Sequence, residues 1–330
     1  MEYRQLGKSD LNVSVITFGA WAIGGWMWGG ADRRDAIKAI YKAIDLGITT
    51  IDTAPIYGMG TSEEIVGEAV KTLSRDRIQL LTKYGLVWEG TQGRLHIRDS
   101  MHQGRKYDVY RYASAASVRK ECEDSLRRLK TDYIDLYQIH WPDPTTPIDE
   151  TMQAVSDLIR EGKVREAGVC NYSAAEMKEA GKTLQLASNQ VPYSMVNRGI
   201  EQEVVPYCLE TGAGILAYSP LQRGVLTGKF QPEHQFSEGD HRPQTPFFKP
   251  GNISRINAFL DKIKPIAEEK GASLAQLVLR WTIDQPGITA ALAGARDASQ
   301  VEQNARAAEI SLHPDELQEM NGLLATLKLE

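Results

Sequence analysis

Four polar side chains of this sequence are placed where they could act together on one small molecule. They are Asp52, Tyr57, Lys83 and His140. These residues lie at or soon after the ends of short runs rich in β-branched and aromatic side chains, the second, third and fourth such runs in the chain. If the runs are neighbouring strands of a barrel, their carboxyl ends share one face, so we expect the four side chains to converge there.

The chemistry of these side chains suits protonation of a carbonyl oxygen while a hydride reaches its carbon. The pKa of a tyrosine hydroxyl is about 10, which is too high for efficient proton exchange at neutral pH. The Lys83 cation would stabilise the phenolate of Tyr57 and lower its pKa, and Asp52 would keep a buried lysine charged. His140 can donate a hydrogen bond to the substrate oxygen. A purely structural ion pair is the alternative explanation for Asp52 and Lys83.

The elements that must position these residues alternate along the chain as strand and helix. Eight strands are predicted at 15–18, 49–53, 78–82, 133–139, 164–169, 187–191, 214–218 and 288–292. Segments with helical periodicity lie between them, for example at 36–46, 62–73, 117–129 and 152–160. This alternation implies parallel pairing through right-handed crossovers, and eight such units close into a (β/α)8 TIM barrel. An open doubly wound sheet is the competing architecture.

Additional segments surround the eight units of the predicted barrel. A β-hairpin is predicted at 3–13 and could close the bottom of the barrel. Long connections at 86–114 and 221–251 follow the third and seventh strands, at the face where barrel enzymes keep their chemistry. Extra helices are predicted at 298–308 and 314–327. We therefore expect residues 1–330 to form a single barrel domain.

Composition and charge exclude several classes of protein. The chain has 330 residues, 42% of them hydrophobic and 25% charged, which is typical of a globular enzyme. Its formal net charge of −5 gives no basic surface for nucleic acid. Three widely spaced cysteines form neither a zinc pattern nor a disulfide framework. No signal peptide or membrane span is apparent, so a cytoplasmic location is expected.

Several short motifs, in their joint order, resemble the aldo-keto reductase superfamily over nearly the whole chain. They are Ile51-Asp52-Thr53-Ala54 with Tyr57-Gly58, Thr82-Lys83, Leu136-Tyr137-Gln138-Ile139-His140-Trp141-Pro142, Gly168-Val169-Cys170-Asn171-Tyr172, Asn189-Gln190, Tyr218-Ser219-Pro220-Leu221 and Gly294-Ala295-Arg296. Segments 3–9, 18–21 and 224–229 are most similar to bacterial members near the inositol-operon reductases and the potassium-channel β-subunit branch. The resemblance implies that Tyr57 is the acid/base, that Lys83 and Asp52 tune it, and that His140 polarises the carbonyl.

The same resemblance implies that NADP(H) binds across the mouth of the barrel. The residues it assigns to the cofactor are Trp21, Asn171, Gln190, Tyr218, Ser219, Leu221, Arg223, Lys229, Gly294, Arg296, Gln300, Gln303 and Asn304. The amides of Asn171 and Gln190 suit the carboxamide, and the ring of Tyr218 suits the nicotinamide. Gly294 and Arg296 open a helix, where backbone N–H groups and a guanidinium suit the 2′-phosphate. No early G-x-G-x-x-G fingerprint supports a Rossmann dehydrogenase.

Aromatic residues after the first, third and fourth strands could form a wall around the substrate. They are Trp21, Trp26, Trp28, Trp88 and Trp141. Of these we expect Trp21, Trp88 and Trp141 to contact substrate, and two of them, Trp21 and Trp141, closely follow strand ends. Arg242, within 239–242, is a weaker candidate for closing over the cofactor.

The leading hypothesis is an NADP-dependent reductase of aldehydes, ketones or sugar-derived carbonyls, reversible toward alcohol oxidation. The alternative is a regulatory subunit that binds NADPH and turns over slowly, and the intact set of four polar residues counts against it. A barrel hydrolase is disfavoured because the strand ends carry no paired carboxylates and no metal-ligand cluster. The expected partner is a small carbonyl or alcohol, without nucleic acid, membrane or metal; the sequence leaves assembly into a homo-oligomer open.

Overall fold

A computed structural model of the chain describes residues 1–26, 31–236, 240 and 242–330. The strands in these residues are β1 (Tyr3–Gln5), β2 (Asn12–Ser14), β3 (Ile16–Gly19), β4 (Thr50–Asp52), β5 (Gln79–Tyr84), β6 (Leu86–Val87), β7 (Arg94–His102), β8 (Arg105–Arg111), β9 (Ile134–Ile139), β10 (Val164–Cys170), β11 (Ser188–Pro192), β12 (Gly214–Tyr218) and β13 (Ile288–Gly294). The helices are α1 (Arg33–Asp45), α2 (Thr61–Val70), α3 (Ala115–Leu129), α4 (Ile148–Arg160), α5 (Ala174–Ala180), α6 (Val204–Thr211), α7 (Pro250–Glu269), α8 (Leu274–Ile283), α9 (Ala298–Ala305) and α10 (Pro314–Thr326).

Eight parallel strands close into a barrel in the order β3-β4-β5-β9-β10-β11-β12-β13. The closing pairs run from Ala291 opposite Ile16 to Gly294 opposite Gly19. The eight strands predicted from the sequence are confirmed, and so is the (β/α)8 TIM-barrel architecture. The open doubly wound sheet is wrong, because β13 pairs with β3 and leaves the barrel without an edge strand.

The predicted N-terminal hairpin, β1 paired antiparallel with β2, closes the bottom of the barrel. Its turn passes so close to the barrel that a Cβ on Gly7 would lie 2.4 Å from the carbonyl oxygen of Ala187. Gly7 also has a φ of +60°, a conformation that favours glycine. Leu6 and Leu11 are buried in one cluster with the barrel residue Leu81. The hairpin therefore fills the bottom of the barrel with apolar side chains.

The outer helices form where the sequence supplies an apolar stripe and a capping residue. In α1 the buried residues recur with the period of a helix, at Ala36, Ala39, Ile40 and Ala43. The Ser114 side chain accepts a hydrogen bond from the Ser117 backbone N–H and begins α3. This helix packs against both α2 and α4, as neighbouring helices do around a barrel.

The connection after β5 forms an antiparallel ribbon that the sequence pattern did not predict. Its strands lie in the order β6-β8-β7, with Leu86 opposite Arg111 and Arg94 also opposite Arg111. Val109 of the ribbon is buried in the same apolar cluster as Tyr57. The connection is thus ordered, and it stands beside the residues expected to do chemistry.

The connection after β12 is built from short 3-10 turns, Gln222–Thr227, Arg242–Gln244 and Pro246–Phe248. Phe230 packs against both Phe236 and Phe248, with ring centroids 5.9 and 5.2 Å away. None of the helices described in 1–26, 31–236, 240 and 242–330 is long and apolar enough to cross a membrane.

Candidate active site

The barrel brings the four chemical side chains together at the carboxyl ends of its strands. Asp52 is the last residue of β4, and Lys83 is the penultimate residue of β5. His140 directly follows β9, and its backbone N–H donates to the carbonyl oxygen of Tyr84. Tyr57 lies in the turn between β4 and α2. The convergence expected from the strand positions is therefore present.

Lys83 and Asp52 form a buried ion pair. Lys83 Nζ lies 2.7 Å from Asp52 Oδ2 and also donates to the carbonyl oxygen of Thr53 at 2.9 Å. The two side chains are 0% and 3% exposed. Burial disfavours the ammonium form, but the charge and hydrogen bond of Asp52, together with Tyr57 and Cys170, outweigh it, so the pKa of Lys83 is raised above its ordinary value. The lysine is charged at neutral pH.

Two glutamines hold the other oxygen of Asp52. Gln190 Nε2 donates to Asp52 Oδ1 at 2.8 Å, and Gln138 Nε2 lies 3.4 Å from the same atom. Both glutamines are buried in the barrel. Gln138 was not among the predicted site residues; its position two residues before His140, on a run whose alternate side chains share one face, is the signal that could have found it. For Gln190 the amide nitrogen contacts Asp52, a contact that the sequence did not indicate.

Tyr57 stands between an aromatic wall and the lysine. Its ring centroid lies 4.9 Å from Lys83 Nζ, 5.9 Å from the Trp21 ring and 5.7 Å from the His140 ring. Burial raises the pKa of Tyr57 to about 12, although the Lys83 charge acts in the opposite direction. The expected lowering by Lys83 is therefore present, but burial outweighs it in the protein without ligands.

His140 is held in its neutral form. Burial, together with the Lys83 charge and the neighbouring His96, lowers the pKa of His140 well below its ordinary value. Its backbone carbonyl accepts a hydrogen bond from Asn171 Nδ2 at 3.0 Å. A neutral imidazole whose N–H faces a polarised oxygen is a hydrogen-bond donor rather than a proton source. The described site thus places a protonated Tyr57 hydroxyl beside a neutral His140 imidazole.

Four of the five tryptophans of the predicted wall lie in or against the apolar cluster that contains Tyr57: Trp21, Trp26, Trp88 and Trp141. Trp21 stacks on Tyr57, and Trp141 packs against the same apolar cluster. Trp26 is buried, with its indole N–H donating to Ser100 Oγ. Trp88 also lines a separate cavity beside α3, and Trp28 lies outside the described residues. Among the described residues, Trp21 thus stacks on Tyr57, and both Trp88 and Trp141 pack against the cluster that contains it.

The residues predicted to hold a nicotinamide form a connected group across β10, β11 and β12. The Tyr218 hydroxyl donates to Asn171 Oδ1 at 2.8 Å. Asn171 and Ser219 adopt positive φ values of 59° and 55°, which is unusual for residues other than glycine. Gln222 and Arg223 are also in the left-handed region, at 44° and 55°. Strained backbone of this kind clusters at ligand sites.

The predicted adenosine end of the cofactor site surrounds the start of α9. Asp297 caps this helix by accepting from the Gln300 N–H, and the Gln300 side chain accepts from the Arg296 N–H at 2.9 Å. Asn304 Nδ2 lies 3.2 Å from the Gly294 carbonyl oxygen. The other assigned residues of this group are half-buried or exposed: Leu221, Lys229 and Gln303.

Two arginines of this cofactor region have no carboxylate partner among the described residues. They are Arg223 and Arg296, both half-buried. Burial lowers the pKa of Arg223, which is the effect of a desolvated charge. Both guanidinium groups, together with the exposed start of α9, fit an anionic cofactor. Arg242 differs, because Asp240 pairs with it and the rings of Phe230 and Phe236 pack against it; Gly239 and His241 of the same motif lie outside the described residues.

A model of the aldo/keto reductase family matches residues 15–325. The chain therefore belongs to the aldo/keto reductase family. It is an oxidoreductase built on the closed barrel described above, with the buried Lys83–Asp52 pair at its mouth.

Relatives of known activity resemble the chain over nearly its full length. The aldo-keto reductase YhdN of Bacillus subtilis is 39% identical, covering 98% of this chain and 94% of the relative. An NADH-specific methylglyoxal reductase of Escherichia coli is 36% identical over 93% of both chains.

Solved structures agree with the fold. That of the glycerol dehydrogenase AKR11B4 from Gluconobacter oxydans has a TM-score of 0.88 at 39% identity, covering 98% of this chain and 95% of the other. An aldo-keto reductase from Klebsiella pneumoniae in complex with NADPH has a TM-score of 0.73 at 30% identity, covering 98% and 96%.

Proposed function

We propose that this single barrel domain, residues 1–330, catalyses reversible hydride transfer between NADPH and a small carbonyl compound, reducing aldehydes, ketones or sugar-derived carbonyls to alcohols. The observation that carries the proposal is the placement of the Tyr57 ring against a charged, buried Lys83 and beside a neutral His140. If Lys83 and Asp52 formed only a structural ion pair, there would be no need for Tyr57 and a neutral His140 beside the lysine. The proposal excludes neither direction of the reaction.

In this proposal the protein side chains donate and accept the proton of the reaction. The Tyr57 hydroxyl transfers its proton to the substrate oxygen, and the Lys83 cation stabilises the phenolate that remains. The imidazole N–H of His140 donates to the same oxygen as negative charge develops on it, which stabilises the transition state. When bound, the nicotinamide supplies the hydride that reaches the carbonyl carbon. In alcohol oxidation the phenolate of Tyr57 takes the proton back.

Arg296 supports a preference for NADPH over NADH. The two cofactors differ by the 2′-phosphate, and a half-buried guanidinium without a carboxylate partner in the described chain suits that group. The Klebsiella relative was solved with NADPH, whereas the Escherichia coli relative is NADH-specific. Membership of the family therefore does not fix the cofactor, and in this proposal Arg296 supplies the preference.

The substrate is small and polar in this proposal. The relatives include a methylglyoxal reductase and a glycerol dehydrogenase, both named for three-carbon compounds. Trp21, Trp88 and Trp141, which pack against the cluster that contains Tyr57, would bound the space left for such a substrate. The similarity to the inositol-operon reductases and the potassium-channel β-subunits remains a prediction. If the protein is instead a regulatory subunit, it would bind the cofactor and turn over slowly.

A panel of carbonyls and alcohols, assayed in both directions with NADPH and NADH, tests the function. We expect NADPH-dependent reduction of small hydroxylated aldehydes and ketones, and NADP-dependent oxidation of the matching alcohols. Lys83→Met, which removes the buried cation, is the inactive control. If the protein binds NADPH tightly but reduces no carbonyl faster than this control, the regulatory-subunit hypothesis would be favoured over the enzyme hypothesis.

A further inference from the structure

The half-buried arginines of the described chain fall into two groups. Most are ion-paired with a carboxylate: Arg4, Arg75, Arg119, Arg128, Arg198, Arg242, Arg255 and Arg280. The remainder have no carboxylate within ion-pair distance among the described residues: Arg111, Arg223 and Arg296. Desolvating a charge without a partner is costly, so an unpaired half-buried guanidinium points to an anion that arrives from outside.

Arg111 differs from the other two unpaired arginines in its location. Arg223 and Arg296 belong to the cofactor site proposed above. Arg111 is the last residue of β8, on the antiparallel ribbon, and it lines a cleft of about 740 Å³ together with Trp141 and Asn171. No cofactor role was expected for it, and the cleft that it lines also reaches Asn171, which is assigned to the nicotinamide.

The guanidinium of Arg111 is held in a fixed orientation. Its central carbon lies 5.0 Å from the centroid of the Trp141 ring. Its Nε donates to His96 Nδ1 at 3.0 Å, and the His96 ring packs on the same tryptophan at 5.2 Å. Burial and the Arg111 charge lower the pKa of His96 to about 4, so this imidazole is a neutral acceptor. The two terminal nitrogens of Arg111 make no hydrogen bond within the described residues.

Three of the four carboxylates that line the same cleft have other partners, and the fourth is exposed to solvent. Asp143 accepts from the backbone N–H groups of Ala113 and Thr145, and Glu176 caps α5. Glu179 is paired with a lysine, and Asp149 is exposed in the first turn of α4. Among the described residues that line this cleft, Arg111 is the lysine or arginine available to a ligand.

Trp141 connects Arg111 to the reacting centre. It directly follows His140, and it packs against the apolar cluster that contains Tyr57. An anion bound to the terminal nitrogens of Arg111 would therefore sit beside the carbonyl-binding residues, separated from them by the tryptophan ring.

We propose that Arg111 is a specificity-determining residue that binds an oxyanion, a carboxylate or a phosphate, carried by the carbonyl substrate. The planar guanidinium offers two parallel donors to such a group, and His96 and Trp141 hold it ready. This inference rests on the proposed carbonyl reduction and names one class of its substrates: small aldehydes or ketones with an anionic end.

Matched substrate pairs test the inference. Succinic semialdehyde is compared with butanal, and glyceraldehyde bearing a terminal phosphate with glyceraldehyde. We expect wild type to favour at least one anionic member in kcat/KM. Arg111→Met should lower that preference about 10–150-fold, the range for a lost charge-assisted contact, and Arg111→Lys should lower it less. The carboxylate and phosphate arms identify which anion is bound.

Arg98→Met is the control, because it removes an exposed positive charge from the same ribbon. If Arg98→Met and Arg111→Met lose the preference for anionic substrates equally, the preference would come from the overall positive charge of the ribbon. That result would overturn the proposal. So would a wild type that prefers neither anion.

A binding measurement keeps the test independent of turnover. Tryptophan fluorescence is titrated with succinate and with inorganic phosphate in the presence of NADPH, for wild type and Arg111→Met. Saturable binding of either anion to wild type, lost in the variant, supports the site even if no carbonyl is reduced and the proposed function fails. Equal binding to both proteins, or to neither, refutes it.

Discussion

Lys83 and Gln138 are register partners on the adjacent strands β5 and β9, and their side chains approach opposite oxygens of Asp52. The pairing places an ammonium group and an amide on the same layer of the barrel interior. Gln190 completes the arrangement from β11. The carboxylate is thereby held on both sides, and this fixes the position of the lysine relative to Tyr57.

Replacing Lys83 with methionine is expected to reduce kcat by at least about 10²-fold, because the phenolate of Tyr57 loses the cation that stabilises it. The change also leaves Asp52 buried without a cation, and breaking such a pair destabilises a protein by about 3–5 kcal/mol. Steady-state kinetics and urea unfolding measure the two effects. The double variant Asp52→Asn with Lys83→Met should recover stability without recovering activity; recovered activity would make the pair structural.

Tyr57→Phe is expected to abolish turnover and to leave NADPH binding nearly intact, because the ring remains and only the hydroxyl is lost. A positioned acid contributes about 10²–10⁴-fold, and the neutral His140 would not replace Tyr57 as the source of the proton. Fluorescence titration with NADPH and single-turnover reduction separate binding from chemistry. Retained kcat would remove Tyr57 from the mechanism.

The raised pKa of Tyr57, about 12, has a directional consequence for pH. Tyr57 is protonated through the neutral range, so carbonyl reduction should depend little on pH there. Alcohol oxidation needs the phenolate, so its rate should rise with pH while the pH remains below that value. Initial rates in both directions across the neutral and alkaline range check this; an oxidation rate that is flat in wild type would contradict it.

Gln138→Leu is expected to keep the barrel volume and remove one donor from Asp52. A neutral hydrogen bond contributes about 0.5–1.5 kcal/mol, so kcat for alcohol oxidation should fall by roughly 2–13-fold. The alkaline limb of that reaction should also move upward, because Asp52 then orients Lys83 less firmly. Ser188→Ala is the matched control, since the buried Ser188 hydroxyl has no hydrogen-bond partner among the described residues. A purely structural role would alter stability and leave the pH profile unchanged.

Arg296→Ala is expected to weaken NADPH binding by roughly 10–150-fold and to leave NADH binding almost unchanged, because only the 2′-phosphate distinguishes the two cofactors. Arg306→Ala removes an exposed arginine just after α9 and serves as the control. Fluorescence titration of wild type and both variants with each cofactor decides the matter. Equal loss for NADPH and NADH would place Arg296 away from the 2′-phosphate.

The sequence by itself determined the architecture and the chemical side chains. The alternation of strand and helix is a local pattern of apolar residues, so all eight barrel strands could be located from it. Because each of the four polar residues lies at or soon after a strand end, their convergence followed once parallel pairing was inferred. The antiparallel ribbon was missed, since its register contains bulges that interrupt the simple alternation.

Only the tertiary structure decided how these side chains behave. The contacts of Gln138 and Gln190 with Asp52 join residues far apart in the chain, so no local pattern encodes them. The pKa of Tyr57 depends on the balance between burial and the Lys83 charge, and burial exists only after the barrel has closed. Likewise, the sequence did not identify Arg111 as a candidate anion site. In the folded protein most other half-buried arginines are paired with carboxylates, whereas Arg111 lies against Trp141. Sequence periodicity specifies which face of a strand is buried, whereas charge pairing and desolvation are properties of the packed whole.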